Sequence, residues 1–311
     1  MDGNNIGISS VFSFLPEGCI SNIISFTSPK EACKASVISV GFKSASESDT
    51  VWKKFLPSDY KEIISKSVSS PLNYATKKEL YFHLCHYPIL INDGTLSFWL
   101  SKSGGKKCYM ICARELSIAW KDTPRYWSWT SIPESRFPEV AELLEVCWLD
   151  IRGKMQTKML SLNTIYSVYL VCKTTENSYG LETVVKASVG FAGGSSVSSS
   201  TSSSTTSTSD HVEQEGDSIY LKIPTYVHDL RYGQRRPMLR HRRVLRPRPE
   251  HQIDGRVPRQ RNDGWMEIFL GEFFSNEGDG EIEMQVSETK ILNCKGGLIV
   301  EGIELRPKED A

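Results

Sequence analysis

Residues 119–129, with the sequence AWKDTPRYWSW, place three tryptophans within ten positions, separated by charged residues and a proline. This pattern has neither the period of an amphipathic helix nor the alternation of a strand, so it predicts a loop. A pyranose has apolar C–H faces and a rim of hydroxyl groups, and an aromatic loop offers it a flat apolar surface. Pro124 stiffens the loop and lowers the entropy lost on binding. The alternative is that all three tryptophans are core residues, because large aromatic side chains are mostly buried.

Two glutamates, Glu281 and Glu288, suggest a second kind of chemistry. Two carboxylates are the catalytic groups of most glycoside hydrolases, and their separation in space decides the geometry of hydrolysis. The sequence does not give that separation, and nothing beside either residue indicates a raised pKa. A hydrolase is therefore kept as an alternative, which release of reducing sugar from chitin oligomers would support.

The cysteines lie in apolar segments such as YLVC, EVCW and CYMIC and are predicted to be free, buried thiols. They are Cys19, Cys33, Cys85, Cys108, Cys112, Cys147, Cys172 and Cys294. His83 and His86 flank Cys85, but the H-x-C-H and C-x3-C spacings differ from the paired C-x2-C of zinc ribbons. We therefore predict no metal site and no cofactor. Free thiols and the lack of an N-x-S/T sequon favour the cytoplasm and nucleus.

The charge balance and the start of the chain exclude several classes of protein. The 311 residues contain 37 Lys and Arg against 37 Asp and Glu, so the net charge does not indicate a polyanionic partner. The first residues lack the basic and apolar regions of a secretory signal. No stretch approaches the roughly 18 apolar residues of a transmembrane helix. We expect a soluble intracellular protein with no membrane partner.

The first ninety residues follow a helical pattern. Three short helices are predicted, one after Pro16, one from a capping box at Ser28 to Gly41, and one from Asp49 to Pro57. Three such helices make a poor core by themselves. We expect this module to complete its core on a partner.

Residues 13–57, from FLPEGCISNIISF to VWKKFLP, resemble an F-box of the plant type that precedes a phloem lectin domain. The resemblance implies docking onto a Skp-type adaptor of a cullin ubiquitin ligase. The docking residues that it implies are Leu15, Pro16, Ile20, Ile23 and Ile24. A small intramolecular helical core would show the same spacing, so periodicity alone leaves both interpretations open.

From Asp93 onward the pattern changes to short β-branched or aromatic runs separated by turn residues. The runs are LSFWL, CYMICA, IYSVYLVCK, TVVKASVGF, SIYLKI, WMEIFLGEFF, EIEMQVSE and LIVEGIEL. We predict a multidomain α + β protein: a disordered N-terminus (1–12), a three-helix F-box (13–57), a helical connector (58–92) and an antiparallel, jelly-roll-like β-sandwich (93–311).

Two segments interrupt the predicted strands. Residues 193–217 are rich in Ser, Thr and Gly and are predicted to be a flexible insert. Residues 231–261 contain eleven arginines, typical of a nucleic-acid patch or a nuclear localisation signal. A solvated loop between strands is favoured, because only Tyr232 offers an aromatic ring for base stacking. Nucleic acid is therefore not a predicted partner.

Residues 96–307 resemble the phloem protein 2 lectins, the Nictaba type represented by the tobacco agglutinin. The pieces that carry the resemblance include ARELSIAWKDTPRYWSW, DGWMEIFLGEFF and GLIVEGIELRP. The resemblance implies a β-sandwich that binds N-acetylglucosamine oligomers or N-glycan cores. It assigns sugar contacts to Trp120 and Trp127, with Trp129 turned inward, and acidic partners to Glu281 and Glu288.

Together these features predict a substrate-recruiting F-box subunit of a Skp-cullin-F-box ubiquitin ligase. Its partners would be the Skp-type adaptor, the cullin scaffold and a glycan or glycoprotein target. Ubiquitin transfer itself requires a catalytic cysteine or a RING-type metal site, which the sequence does not indicate, so no catalytic residue and no enzyme activity are predicted. An alternative is an F-box adaptor whose β-sandwich binds protein rather than sugar.

Overall fold

A computed structural model describes residues 15–68, 72–192, 216–224, 255–276 and 280–308. The chain divides into two compact units. The first contains residues 1–110, 160–164 and 306–311, and the second contains residues 111–159 and 165–305. The predicted disordered N-terminus, nearly all of the Ser/Thr insert and most of the arginine loop lie outside the described residues.

The first unit begins with short helices. They are α1 (Glu17–Ile24), α2 (Pro29–Ala35), α3 (Val40–Glu47), α4 (Asp49–Phe55), α5 (Tyr60–Ser65) and α6 (Lys77–His86). Trp52 of α4 is completely buried, its ring lies 5.3 Å from that of Tyr81 on α6, and its indole nitrogen donates to the carbonyl of Ser46 at 2.7 Å. The core of this helical region therefore forms around one buried tryptophan whose indole N–H is hydrogen-bonded.

Side-chain caps fix where several of these helices begin. Ser28 accepts a hydrogen bond from the amide of Glu31, and Pro29 occupies the first helical position, which confirms the predicted start of α2. The predicted continuation of this helix to Gly41 is wrong. Ser39 adopts an extended conformation, caps the amide of Phe42 and starts α3 as a separate helix.

The strands are β1 (Ile89–Ile91), β2 (Leu96–Leu100), β3 (Lys107–Cys112), β4 (Ser117–Ile118), β5 (Trp127–Thr130), β6 (Val140–Leu143), β7 (Leu149–Gln156), β8 (Thr164–Tyr179), β9 (Val184–Phe191), β10 (Asp217–Tyr220), β11 (Arg259–Gln260), β12 (Met266–Ser275), β13 (Glu281–Glu288) and β14 (Gly296–Pro307). All eight runs identified in the sequence contain a strand, and the mostly antiparallel β fold is confirmed.

Two groups of strands build the second unit. One group has the order β14-β8-β12-β11, with the β5–β6 hairpin attached to β14. The other is a five-stranded sheet with the order β10-β9-β13-β7-β4. Close packing between the two is visible at Gly153 of β7, where an added Cβ would lie 3.1 Å from the side chain of Ile303 on β14. Residues that alternate toward this interior fill the core.

The prediction that all cysteines are free and buried is wrong for four of them. Cys147 and Cys294 form a disulfide, because the neighbouring residues Val146 and Lys295 pair as an antiparallel bridge that brings the two chain segments together. Cys19 and Cys33 are free, but Cys19 is exposed and Cys33 is only half-buried. By contrast, burial raises the pKa of Cys172 to about 12, which keeps this thiol protonated and unreactive.

Candidate functional site

A tight turn after β4 displays Trp120 at the surface of the second unit. Ser117 pairs with Arg152 of the neighbouring strand β7, and the amide of Ala119 donates to the carbonyl of Asp150 at 2.9 Å. The chain then turns at Trp120, which has a φ of 58°, a conformation uncommon for a residue with a side chain. Its side chain is 48% exposed. We call residues 115–123 the tryptophan turn.

The other two tryptophans of this segment hold the turn from behind. The indole nitrogen of Trp127 donates to the carbonyl of Ala119, and that of Trp129 donates to the carbonyl of Lys121, each at 3.1 Å. These are the two residues on either side of Trp120. The turn therefore keeps its left-handed backbone because both flanking carbonyls have indole donors.

The predicted surface position of Trp127 is wrong. The Trp127 side chain is only 2% exposed, whereas Trp129 is half-buried with the Arg114 guanidinium 3.6 Å above its ring centre. Trp127 starts β5 opposite Leu143, and this register directs its ring into the core. One tryptophan of the three is thus displayed on the surface, and two support it.

The tryptophan turn lines an open surface cavity of about 450 Å³. Besides the Trp120 ring, its lining offers the exposed side chains of Glu115, Ser117 and Asp122. The ammonium group of Lys121 is already engaged within the protein, because it donates hydrogen bonds to the carbonyls of Arg114 and Leu116. The cavity therefore combines one aromatic face with hydroxyl and carboxylate groups, which suits a ligand with apolar faces and hydroxyl donors.

Glu281 does not lie at the tryptophan turn. It is the first residue of β13 and pairs with Gln156, while Ile118 beside the turn pairs with Ile151 of the same β7 strand. Five residues of strand separate these positions, roughly 17 Å at about 3.4 Å per residue. Glu281 instead accepts hydrogen bonds from Lys154 at 3.0 Å and Gln156 at 3.1 Å on the outer face of the sheet.

Glu288 lies at the correct end of β13 but points into the interior. Its side chain is buried and paired with the ammonium of Lys295, which is itself completely buried. It also accepts the amides of Lys290 at 3.1 Å and Ile291 at 2.7 Å. With these contacts the carboxylate stabilises the loop after β13 and is turned away from the cavity.

The separation of Glu281 and Glu288 also bears on the hydrolase alternative. They are seven positions apart on one strand, an odd number, so their side chains point to opposite faces. Along the strand they are roughly 23 Å apart, well beyond the ~5–9.5 Å between the carboxylates of glycoside hydrolases. These two glutamates therefore do not form a hydrolytic pair.

A second candidate site is a set of exposed apolar side chains on the first helices and on the segments beside them. Its members are large apolar side chains that are between 37% and 87% exposed. They are Leu15, Ile23, Phe26, Val37, Ile38 and Val40, and we call them the helical apolar surface. Pro16, beside Leu15, is exposed as well and precedes α1. Such a concentration of exposed apolar residues is typical of a protein interaction site.

Two of the five residues predicted to dock the adaptor face the other way. Ile20 and Ile24 are 6% and 3% exposed and pack into the core on the same side of α1 as Ser21. The Ser21 hydroxyl donates to the carbonyl of Ala45 on α3 at 3.2 Å, which fixes this face inward. Ile23 is left on the outer face. The assignment of Ile20 and Ile24 to the docking surface is thus wrong, because the helix needs them for its own core.

Sequence reasoning missed Phe26, Val37, Ile38 and Val40. The sequence pattern places the last three within one helix from Ser28 to Gly41, but in the structure they lie where α2 ends and α3 begins. Ser39, a preferred N-cap residue within a run of apolar residues, was the signal that could have located this break.

Neither site is arranged to hold a metal ion. Within the described ranges, no group of three or more His, Cys, Asp and Glu residues has a suitable arrangement. None of the helices in this part of the chain is long and apolar enough to span a membrane.

Comparisons with known proteins agree with this division into a helical surface and a β unit. The family model for phloem protein 2 matches residues 106–307, and the model for the F-box domain matches residues 12–54. The chain belongs to the phloem protein 2 family. Its F-box domain contains nearly all of α1 to α4 with the helical apolar surface, and its phloem protein 2 domain contains the tryptophan turn.

Three relatives from Arabidopsis thaliana are similar to this chain over nearly the whole length of both proteins. F-box protein PP2-B10 is 43% identical over 303 residues, which cover 96% of this chain and 95% of the relative. F-box protein PP2-B1 is 41% identical over 316 residues, with 96% and 91% covered. F-box protein VBF is 41% identical over 302 residues, with 94% and 99% covered. The similarity therefore extends over both domains.

Proposed function

We propose that this protein is the substrate-recruiting subunit of a Skp-cullin-F-box ubiquitin ligase. The observation that carries the proposal is the helical apolar surface within the F-box domain, where Phe26, Val37 and Val40 are each more than three-quarters exposed. Exposing this much apolar area to water is unfavourable, and burial against a partner recovers about 25 cal/mol per Å². The partner of the proposal is a Skp-type adaptor, which links the chain to the cullin scaffold.

The proposal assigns target recognition to the phloem protein 2 domain, through carbohydrate at the tryptophan turn. N-acetylglucosamine oligomers and N-glycan cores are the proposed ligands, in agreement with the lectin resemblance of the sequence. The support from this structure is local: the displayed ring of Trp120 lies in a cavity with the exposed polar groups of Glu115, Ser117 and Asp122. Trp120 is the contact residue in this proposal, and buried Trp127 supports it.

Adaptor binding is tested by shortening two exposed residues of the helical apolar surface. Replacing both Ile23 and Val37 by alanine is expected to lower affinity for the adaptor at least thirtyfold, because truncating central interface residues costs about 2 kcal/mol or more. The melting temperature should stay unchanged, since the side chains are 52% and 85% exposed. The measurement is quantitative co-purification with the adaptor and cullin.

The matched control for adaptor binding removes two other exposed aliphatic side chains. Leu162 and Ile165 are 47% and 46% exposed and lie outside the F-box domain. Their joint replacement by alanine should leave co-purification unchanged. Wild-type recovery of adaptor and cullin by the Ile23 and Val37 double variant would show that the docking assignment is wrong.

Sugar binding is tested at Trp120 in the full chain. The Trp120→Ala variant is expected to lose about 1–3 kcal/mol of binding free energy for N-acetylglucosamine oligomers, because it removes the apolar face of the cavity. Its free energy of unfolding should change by less than about 0.5 kcal/mol, as for most exposed positions. Isothermal titration and thermal unfolding measure the two quantities, with Phe274→Ala, at another exposed aromatic residue, as the control.

A protein-binding role for the phloem protein 2 domain is the second candidate. The observation that favours it is a set of exposed aliphatic residues, Leu144, Ile291 and Leu292, on the loops before β7 and β14. A glycan array probed with the full chain separates the two candidates. Carbohydrate recognition is supported if the wild type binds a glycan and Trp120→Ala does not. Protein recognition is favoured if the wild type binds no glycan on the array.

A further inference from the structure

A second exposed tryptophan lies on a firmly held segment of the phloem protein 2 domain. Trp148 is 44% exposed and lies between β6 and β7. Its backbone is fixed on the N-terminal side by the Cys147–Cys294 disulfide, and on the C-terminal side Leu149 opens β7 opposite Glu288. A large aromatic ring on a fixed backbone loses little entropy when it binds a ligand.

The same segment has further backbone support. Val146 and Lys295 exchange two hydrogen bonds, of 2.9 Å and 2.7 Å, one residue before the disulfide. The ammonium of Lys295 in turn holds Glu288 and the carbonyl of Asn293. The exposed position of Trp148 is therefore set by the surrounding contacts and does not reflect a loose loop.

Backbone connections place this segment next to the tryptophan turn. The amide of Ala119 donates to the carbonyl of Asp150, so Trp120 and Trp148 both emerge at the same end of the β4–β7 pair. A second connection joins the amide of Leu144 to the carbonyl of Tyr126 at 2.9 Å. The Tyr126 ring lies 5.6 Å from that of Trp120.

We propose that Trp148 is a second aromatic platform, which contacts a further pyranose of the oligosaccharide whose first unit lies on Trp120. This inference rests on the proposed sugar-binding function of the tryptophan turn. Two platforms on one fixed framework select a chain of linked sugars over a single sugar, because only a chain reaches both rings.

The polar groups at this end of the domain favour a carbohydrate over an apolar protein surface. Three exposed residues carry carboxylates here. Glu115 and Asp122 line the cavity of the tryptophan turn, and Glu145 lies three residues before Trp148. Hydroxyl groups of a sugar can donate hydrogen bonds to such carboxylates, whereas an apolar partner would have to bury their charge without compensation.

The experiment titrates the full chain with N-acetylglucosamine and, separately, with its β-1,4-linked tetramer. Trp148→Ala should weaken binding of the tetramer at least about tenfold, because the variant loses one aromatic contact, and should leave binding of the single sugar within about twofold. Trp148→Tyr, which keeps a ring, should retain most of the tetramer affinity. Phe274→Ala serves as the control for removal of an exposed aromatic side chain, and unchanged melting temperatures show that each variant is folded.

The outcomes distinguish this inference from the function on which it rests. If Trp148→Ala binds the tetramer as tightly as the wild type does, the second platform is overturned, but the proposed sugar-binding function is not. Equal loss of both ligands in Trp148→Ala also overturns the second platform, since the residue would then act at the first sugar. A wild-type chain that binds neither ligand overturns the proposed sugar-binding function and this inference together.

Discussion

Trp127→Ala is expected to lower the free energy of unfolding of the second unit by about 3–5 kcal/mol, the usual effect of removing a buried aromatic side chain. The Trp127 ring is 2% exposed, and its indole donates to the carbonyl of Ala119. The substitution leaves a cavity in the core and removes the donor of that carbonyl. Because the carbonyl precedes Trp120 at its φ of 58°, the displayed ring should also lose its fixed position. Urea unfolding followed by circular dichroism measures the change in stability.

A graded series shows which part of Trp127 is responsible. Trp127→Phe keeps most of the buried volume and removes the hydrogen bond, so a smaller loss than for alanine, of about 1–3 kcal/mol, is expected. Trp120→Ala should leave the unfolding curve nearly unchanged, since its ring is 48% exposed. An unfolding curve for Trp127→Ala that coincides with wild type, together with lost sugar affinity, would restore the surface role that the lectin resemblance implied.

Local chemistry in the sequence predicted much of the fold. The helix start at Ser28 followed from its capping box, and Ser28 serves as the cap in the structure. Strands followed from β-branched and aromatic runs, each of which contains a strand. The break at Ser39 was missed because the apolar residues on both sides continue a helical pattern, and tertiary packing decided the outcome.

The site was less predictable, because it depends on which way each side chain points. Trp127 and Trp129 are two positions apart on one strand and therefore share a face, and only the pairing of β5 with β6 decides that this face packs inward and leaves Trp120 at the surface. The disulfide required the long-range bridge between Val146 and Lys295, which no local pattern contains. The divergence of Glu281 and Glu288, however, was predictable, since an odd separation within a strand always gives opposite faces.

Replacement of Lys295 by methionine is expected to cost about 3–5 kcal/mol of stability, because it leaves the buried charge of Glu288 without its cation. Lys295 is fully buried, and its ammonium contacts the Glu288 carboxylate and the carbonyl of Asn293. In the double variant Glu288→Gln with Lys295→Met the buried charge is gone, so much of the lost stability should return. Urea unfolding of the wild type, the two single variants and the double variant gives the coupling energy of the pair.

The cost of Lys295→Met should depend on pH in a defined direction. Burial by itself raises the pKa of Glu288, but hydrogen bonds from Lys295 and the amides of Ile291 and Lys290 outweigh it and hold the pKa below its usual 4.5. In the wild type this carboxylate therefore contributes stability above pH 4.5, which is lost as the pH falls through the folded-state pKa.

Without Lys295, only the amide hydrogen bonds of Ile291 and Lys290 oppose the effect of burial, so the pKa of Glu288 in the folded protein should rise from its wild-type value. The ionised carboxylate then contributes less stability at neutral pH than it does in the wild type, whereas the protonated form, at low pH, is affected less. The stability difference between wild type and Lys295→Met should thus grow from pH 4 to pH 7. The raised pKa of Glu301, which burial causes, is common to both proteins and cancels in the difference. A difference that stays constant over this range would mean that Glu288 is not held as a buried carboxylate by Lys295.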